Sequence, residues 1–187
     1  MPTPPQPPRF ASALSTDADS GRAEAQVVEG VRTGLGARRP DLVCAFVSHH
    51  HGEAIEGLGP RLAEAVGTDV LIGCTGESII GGAREIEREP ALSLWAASLP
   101  GTAVRPFRAE ASLAADPDDA PGPADFGGGG DEEDGPADAS RLEFSALPDV
   151  RDRARASLLL LADPFSFPMD EYLKRLNDAL PGVPAVG

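Results

Sequence analysis

The sequence predicts an α/β fold: a mixed sheet built from two repeated βαβ-type units plus an antiparallel hairpin, with a disordered acidic insertion. Three observations lead there. Continuous apolar runs at Leu42–Val47, Val70–Gly73 and Leu158–Leu161 read as strands buried on both faces, as parallel strands are. Between the runs lie stretches whose apolar residues recur at helical spacing. The segment ending at Gly73 also recurs 114 positions later: Ser48 falls on Ala162, Leu58 on Tyr172, Leu62 on Leu176, Ala65 on Ala179 and Gly73 on Gly187, without a gap.

Taken in order, Met1–Pro8 holds five prolines and reads as an extended, disordered tail. Phe10–Ser15 is the first strand. Thr16 or Asp17 caps a helix that puts Val27, Val28, Val31 and Leu35 on one face and ends at Gly34 and Gly36. After the return through Arg38-Arg39-Pro40, the strand Leu42–Val47 ends in Ser48-His49-His50-His51-Gly52. Ile55, Leu58, Leu62 and Val66 give the next helix, with Pro60 at its first position and Gly67 stopping it. Val70–Gly73 then opens onto a turn of Gly73, Cys74, Thr75, Gly76, Glu77 and Ser78. Glu85, Glu87 and Glu89 alternate with Ile86 and Arg88, as an exposed edge strand or turn does. Ala91–Ser98 and Ala103–Ala109 flank Leu99-Pro100-Gly101-Thr102 and read as the antiparallel hairpin.

The chain then loses periodicity. Between Ala111 and Asp149 eleven acidic residues face one basic residue, Arg141, so this stretch carries −10 of the formal −14. The remainder is close to neutral. Expected domains are therefore the tail (1–8), a first α/β part (9–110), an acidic Gly/Pro-rich disordered linker (111–140) and a second α/β repeat (141–187). In that repeat Leu158–Leu161 is a strand, Asp163–Pro168 a loop, and Leu173, Leu176 and Leu180 share a helix face. It stops where the first repeat has its Cys-Thr-Gly-Glu turn, so truncation is expected.

The totals narrow the function classes. A length of 187 residues with 41% hydrophobic content suffices for a real core, and 21 glycines and 19 prolines concentrate in the tail and linker. The acidic balance argues against nucleic acid as a partner. Cys44 and Cys74 have no disulfide-framework spacing, and neither a membrane span nor a signal-peptide core is present, so a cytoplasmic protein is expected.

Chemistry-bearing groups gather at two strand ends. In an open α/β sheet ligands bind at the carboxyl ends of strands, where Ser48, His49, His50 and His51 meet Cys74, Thr75, Gly76, Glu77 and Ser78. Consecutive histidines in extended chain alternate sides, so at most two face one ion, and no metal or cofactor is assigned. A hydrogen-bonding, pH-sensitive pocket suits imidazoles better. The rival from another class is a thiol enzyme with Cys74 as nucleophile and a histidine as base. No phosphate-loop or dinucleotide-binding glycine pattern occurs at this turn.

Phe10-Ala11-Ser12-Ala13-Leu14-Ser15-Thr16, Asp41-Leu42-Val43, Ser48-His49-His50-His51, Ile72-Gly73-Cys74-Thr75-Gly76-Glu77, Pro90-Ala91-Leu92-Ser93-Leu94-Trp95 and Pro106-Phe107 together resemble the amino-terminal half of the FIST domain. The resemblance is close over 9–110 and looser over 142–187. It implies a non-catalytic sensory domain of signal transduction that binds small ligands such as amino acids, normally continued by a carboxyl-terminal FIST domain or joined to a signalling partner. The backbone at Gly76 then suits a ligand carboxylate and Glu77 an ammonium. The second repeat brings Asp163 and Phe165 to the position of the histidine loop. A structural or partner-binding half-domain is the remaining reading.

Overall fold

The structure, a computed structural model, describes residues 6–36, 38–114 and 142–187. Residues 1–5 of the expected tail and 115–141, which hold most of the expected linker, lie outside the described residues. The chain divides into two compact units, Met1–Pro106 and Phe107–Gly187.

In the first unit β1 (Arg9–Ser15), α1 (Ser20–Leu35), β2 (Leu42–Ser48), α2 (Leu58–Val66), β3 (Leu71–Gly76), the hairpin strands β4 (Ser78–Gly81) and β5 (Arg84–Glu87), and β6 (Leu92–Ser98) follow one another. The main sheet has the order β1-β6-β2-β3, with β6 antiparallel to both neighbours and β2 parallel to β3. β1, β2 and β3 therefore run the same way, and their carboxyl ends share one end of the sheet.

The register assigns faces. Ala13, Leu94, Ala45 and Gly73 form one row and Ser15, Leu92, Val47 and Thr75 the next, on the face that packs against α1 and α2. The alternate rows, Ser12-Trp95-Cys44-Ile72 and Leu14-Ser93-Phe46-Cys74, lie on the other face. Part of that face is covered by Ile79 and Ile86 of the β4–β5 hairpin, which pack with Leu14, Phe46 and Ala91.

Helix α1 buries Ala23, Val27, Val28, Val31 and Leu35, the stripe expected from its spacing. It also sits unusually close to β1. A Cβ on Gly30 would lie 2.7 Å from the Ala13 Cβ, and one on Gly34 2.6 Å from the Ala11 Cβ, so small residues on both partners set the distance. The cap is Asp19, whose carboxylate accepts from the Arg22 N–H, not the expected Thr16 or Asp17. Helix α2 starts at Leu58 after Gly57 in left-handed conformation, which places Pro60 third, not first; Gly67 ends it as expected.

Three larger expectations fail. Ala91–Ser98 does not form a hairpin with Ala103–Ala109: it becomes the interior strand β6, paired on both edges, and 103–109 contains no strand. Gly73–Gly76 is not a turn but the second half of β3, and Glu77 alone separates it from β4. Ala111–Leu113, expected in the linker, is strand β7 and pairs with β8 (Leu142–Phe144).

In the second unit β9 (Leu158–Leu159), α3 (Met169–Ala179) and β10 (Ala185–Val186) form a parallel pair joined by a helix, the expected second βαβ unit. Tyr172, Leu176 and Leu180 are buried as their counterparts Leu58, Leu62 and Val66 are. A Cβ on Gly187 would overlap the Leu160 carbonyl oxygen of the neighbouring strand, and one on Gly73 the Ala45 carbonyl oxygen. The matched amides, Val43 N–H to Val70 O and Leu158 N–H to Pro184 O, put the first strands 115 positions apart, not 114. The repeat is real, but its second copy is one residue shorter than the first after the first strand. On the face away from Leu158, Leu159, Leu161 and Val186 are exposed.

Candidate functional site

The common end of β1, β2 and β3 gathers most of the expected residues. Ser48 and Gly76 are register partners, so the ends of β2 and β3 are level, and Ser15 ends β1 in the row of Thr75. After Ser48 the chain turns in a 3-10 segment, His49–Ile55, broken at Gly52 with φ 52° and ψ −132°. Helix α1 begins at the same end with Ser20.

The three histidines are not equivalent. His49 and His50 are exposed and stack on each other, ring centroids 4.1 Å apart. His51 is 7% exposed, with Nδ1 3.0 Å from Ser20 Oγ and Nε2 buried and, among the described residues, without a partner. Burial holds its pKa below the usual imidazole value, helped by His50, while Glu24 and Asp17 pull the other way.

Around the start of α1 runs a polar network that the sequence reading missed. The Ser15 hydroxyl donates to Gln26 Oε1 at 2.6 Å, Gln26 Nε2 donates to Asp17, and Arg22 clasps Asp17 with two bonds of 2.9 Å. The Arg22 guanidinium and the Asp19 backbone N–H hold the Asp17 carboxyl down to about 2. From α2, Arg61 donates to both Glu24 carboxylate oxygens and to the carbonyls of Ala54 and Glu56, pinning the far half of the histidine turn. A polar cluster from Ser15 to Ser20 between a strand and a helix was the available signal.

Other expected residues serve elsewhere. Ser48 is 1% exposed and bonds the backbone: its hydroxyl accepts from the Ala91 N–H at 2.9 Å and its own N–H donates to Ala91 O. Ser78 donates to Glu85 inside the β4–β5 hairpin. Cys74 is exposed, on the sheet face opposite Thr75, and among the described residues makes no hydrogen bond to a histidine. Thr75, Gly76 and Glu77 remain at the site's rim, with Thr75 and Glu77 exposed.

In the second unit Asp163 and Phe165 follow β9 as the histidine turn follows β2. Asp163 accepts from the Phe165 N–H and the Ser166 hydroxyl, which hold its carboxyl below the usual range, and Phe165 is 97% exposed.

A depression of about 720 Å³ lies at the other end of the sheet. It is lined by Arg32, Arg38, Arg39 and the glycine caps of α1 and α2. Two of these arginines serve the chain itself: Arg39 binds Gly67 O and Asp69, and Arg38 binds Pro7 O. No helix among the described residues is long and apolar enough to cross a membrane.

An uncharacterized protein of Mycobacterium tuberculosis is 28% identical over 187 residues, covering 96% of this chain and 40% of its own length. One of Mycobacterium bovis is 27% identical over 182 residues, covering 96% of this chain and 39% of its own length. The chain thus spans about two fifths of the length of the curated relatives it matches. No solved structure matches at a significant level. The FIST N domain model matches residues 41–187, well over half of the sequence, and the chain belongs to that family.

Proposed function

We propose that this chain is a non-catalytic sensory domain of intracellular signal transduction that binds a small ligand, an amino acid being the class that fits, at the carboxyl ends of β1, β2 and β3. Membership of the FIST N domain family is consistent with a sensory role. The observation that carries the site assignment is His51: a buried imidazole with an unpaired Nε2, beside the first turn of α1 and the ends of three strands running the same way. Buried polar atoms are nearly always paired, so an unpaired one beside the carboxyl ends of parallel strands marks a place for a ligand or ordered water. His50 and Glu77 at the rim supply an imidazole and a carboxylate that reach solvent.

Thermal unfolding with a panel of amino acids tests the reading. A ligand at a hundredfold over its dissociation constant adds about 2.7 kcal/mol when it binds only the folded state. The expected result is a raised midpoint with one or a few amino acids, lost in His50→Ala and Glu77→Gln. A midpoint that no amino acid moves, or one that moves equally in both variants, overturns it.

A further inference from the structure

The histidine turn is built as more than a wall of a pocket. His51 ties it to α1 through one bond, Nδ1 to Ser20 Oγ at 3.0 Å, and with no ligand bound its other nitrogen is buried without a partner among the described residues. A neutral ring tolerates that: with Nδ1 donating to Ser20, Nε2 is a bare lone pair. Protonation makes Nε2 a charged donor with no acceptor, the costly form of a buried polar group.

Neighbouring charges do little to rescue it. The two carboxylates that act on His51 already have cations: Asp17, before α1, is held by Arg22, and Glu24, on α1, is held by Arg61 of α2. His50, on the turn itself, acts against a second positive charge. Ser20 opens α1, where the helix presents its partial positive end. The turn also has a joint. Gly52 has positive φ and no atom within 4 Å of where a Cβ would stand, so the chain is free to pivot there while Arg61 keeps Ala54 and Glu56 fixed.

From this geometry we infer that His51 is a pH-operated latch: neutral, it locks His49–Gly52 against α1; protonated, it swings out about Gly52 and frees that half of the turn. Any effect on a ligand rests on the site reading above, since the same turn forms its wall. Acidification would then weaken binding without unfolding the sheet.

Amide exchange protection across 49–56, measured on the full chain with no ligand added, tests the latch apart from the site. Alongside it, the His51 ring is titrated by NMR. As pH falls from the ordinary imidazole value of 6.5 toward the lowered midpoint of the latched ring, protection is expected to fall by up to about tenfold per pH unit, as uptake of one proton on opening requires, and to level off below that midpoint. Amides of Val43–Val47 should hold. His51→Gln should remove the pH dependence, and Ser20→Ala should lower protection already at neutral pH while leaving β2 unchanged. Protection that ignores pH, a fall shared equally by His51→Gln, or a fall whose midpoint does not follow the ring's titration overturns the inference.

Discussion

The seat of α1 on β1 places Ser20 over the strand ends, and it can be probed at Gly30. An alanine there sets its Cβ 2.7 Å from the Ala13 Cβ, whereas carbon atoms rest at about 3.5–4.0 Å. The helix must lift by about 1 Å, loosening Val27, Val31 and Leu35 from the sheet. Overpacking of this kind costs about 1–3 kcal/mol, and exchanging glycine for alanine inside a helix returns about 1 kcal/mol. A net loss of up to about 2 kcal/mol is expected for Gly30→Ala. Gly21→Ala on the same helix meets only the Asp19 carboxylate at 3.4 Å and should be neutral or gain up to about 1 kcal/mol. Urea unfolding followed by fluorescence of Trp95, the sole tryptophan and half-buried in β6, reads the first unit. Adding Ala13→Gly should restore part of the loss, with a coupling energy of at least about 0.5 kcal/mol. A Gly30→Ala protein as stable as Gly21→Ala, or a cycle with no coupling, would refute the claim that contact between these two small residues sets the seat.

Three further outcomes follow from other parts of the molecule. Gly73→Ala should destabilise by about 3 kcal/mol or more, since its Cβ would overlap a backbone carbonyl that no side-chain rotation relieves; a urea midpoint within error of wild type would count against the β2–β3 register. Of the two thiols, the exposed Cys74 should react with an aromatic disulfide reagent in the native state, while Cys44, on the same sheet face but buried and with its pKa raised by that burial, should react only in denaturant; two equal native rates would contradict this difference in burial. Burial raises the Tyr172 phenol above its ordinary value of 10.0, so its contribution is fully present below pH 10.0 and is lost as pH climbs through the raised value. Tyr172→Phe should remove that alkaline loss and, with the bond to Ala146 O gone, cost about 1 kcal/mol at neutral pH, read by urea unfolding of the second unit.

The sequence made visible whatever depends on local periodicity. The valine stripe of α1, the run Leu42–Val47 and the glycine stop at Gly67 follow from which residues recur on one face and which conformations glycine alone takes easily. The repeat was legible because the same burial recurs at Leu58, Leu62 and Val66 and at Tyr172, Leu176 and Leu180. What local pattern does not contain is partner choice. Leu99-Pro100-Gly101-Thr102 looks like a hairpin loop, but β6 pairs with β1 and β2. Its own composition held the correction, since Leu92–Ser98 is buried throughout except at half-buried Trp95, which an alternating outer strand would not be.

The site shows the same division at the level of single residues. Gly73 and Gly76 read as a turn because glycine usually marks one, yet in β3 Gly73 is there for close approach to a neighbouring strand. Once β3 extends through that stretch, parity decides the rest. Ala45 opposite Gly73 places Thr75 on the helix-covered face with Ser15 and Val47, and Cys74 on the opposite face with Phe46. A one-residue change of register would exchange the two, bringing the thiol to the side of His51 and sending the hydroxyl away. Whether a thiol or a threonine hydroxyl stands on the helix-covered face is therefore decided by the β2–β3 pairing. Neither the Cys-Thr-Gly-Glu string nor the three histidines carries that information alone, because which imidazole is buried depends on Ser20, 31 residues away along the chain.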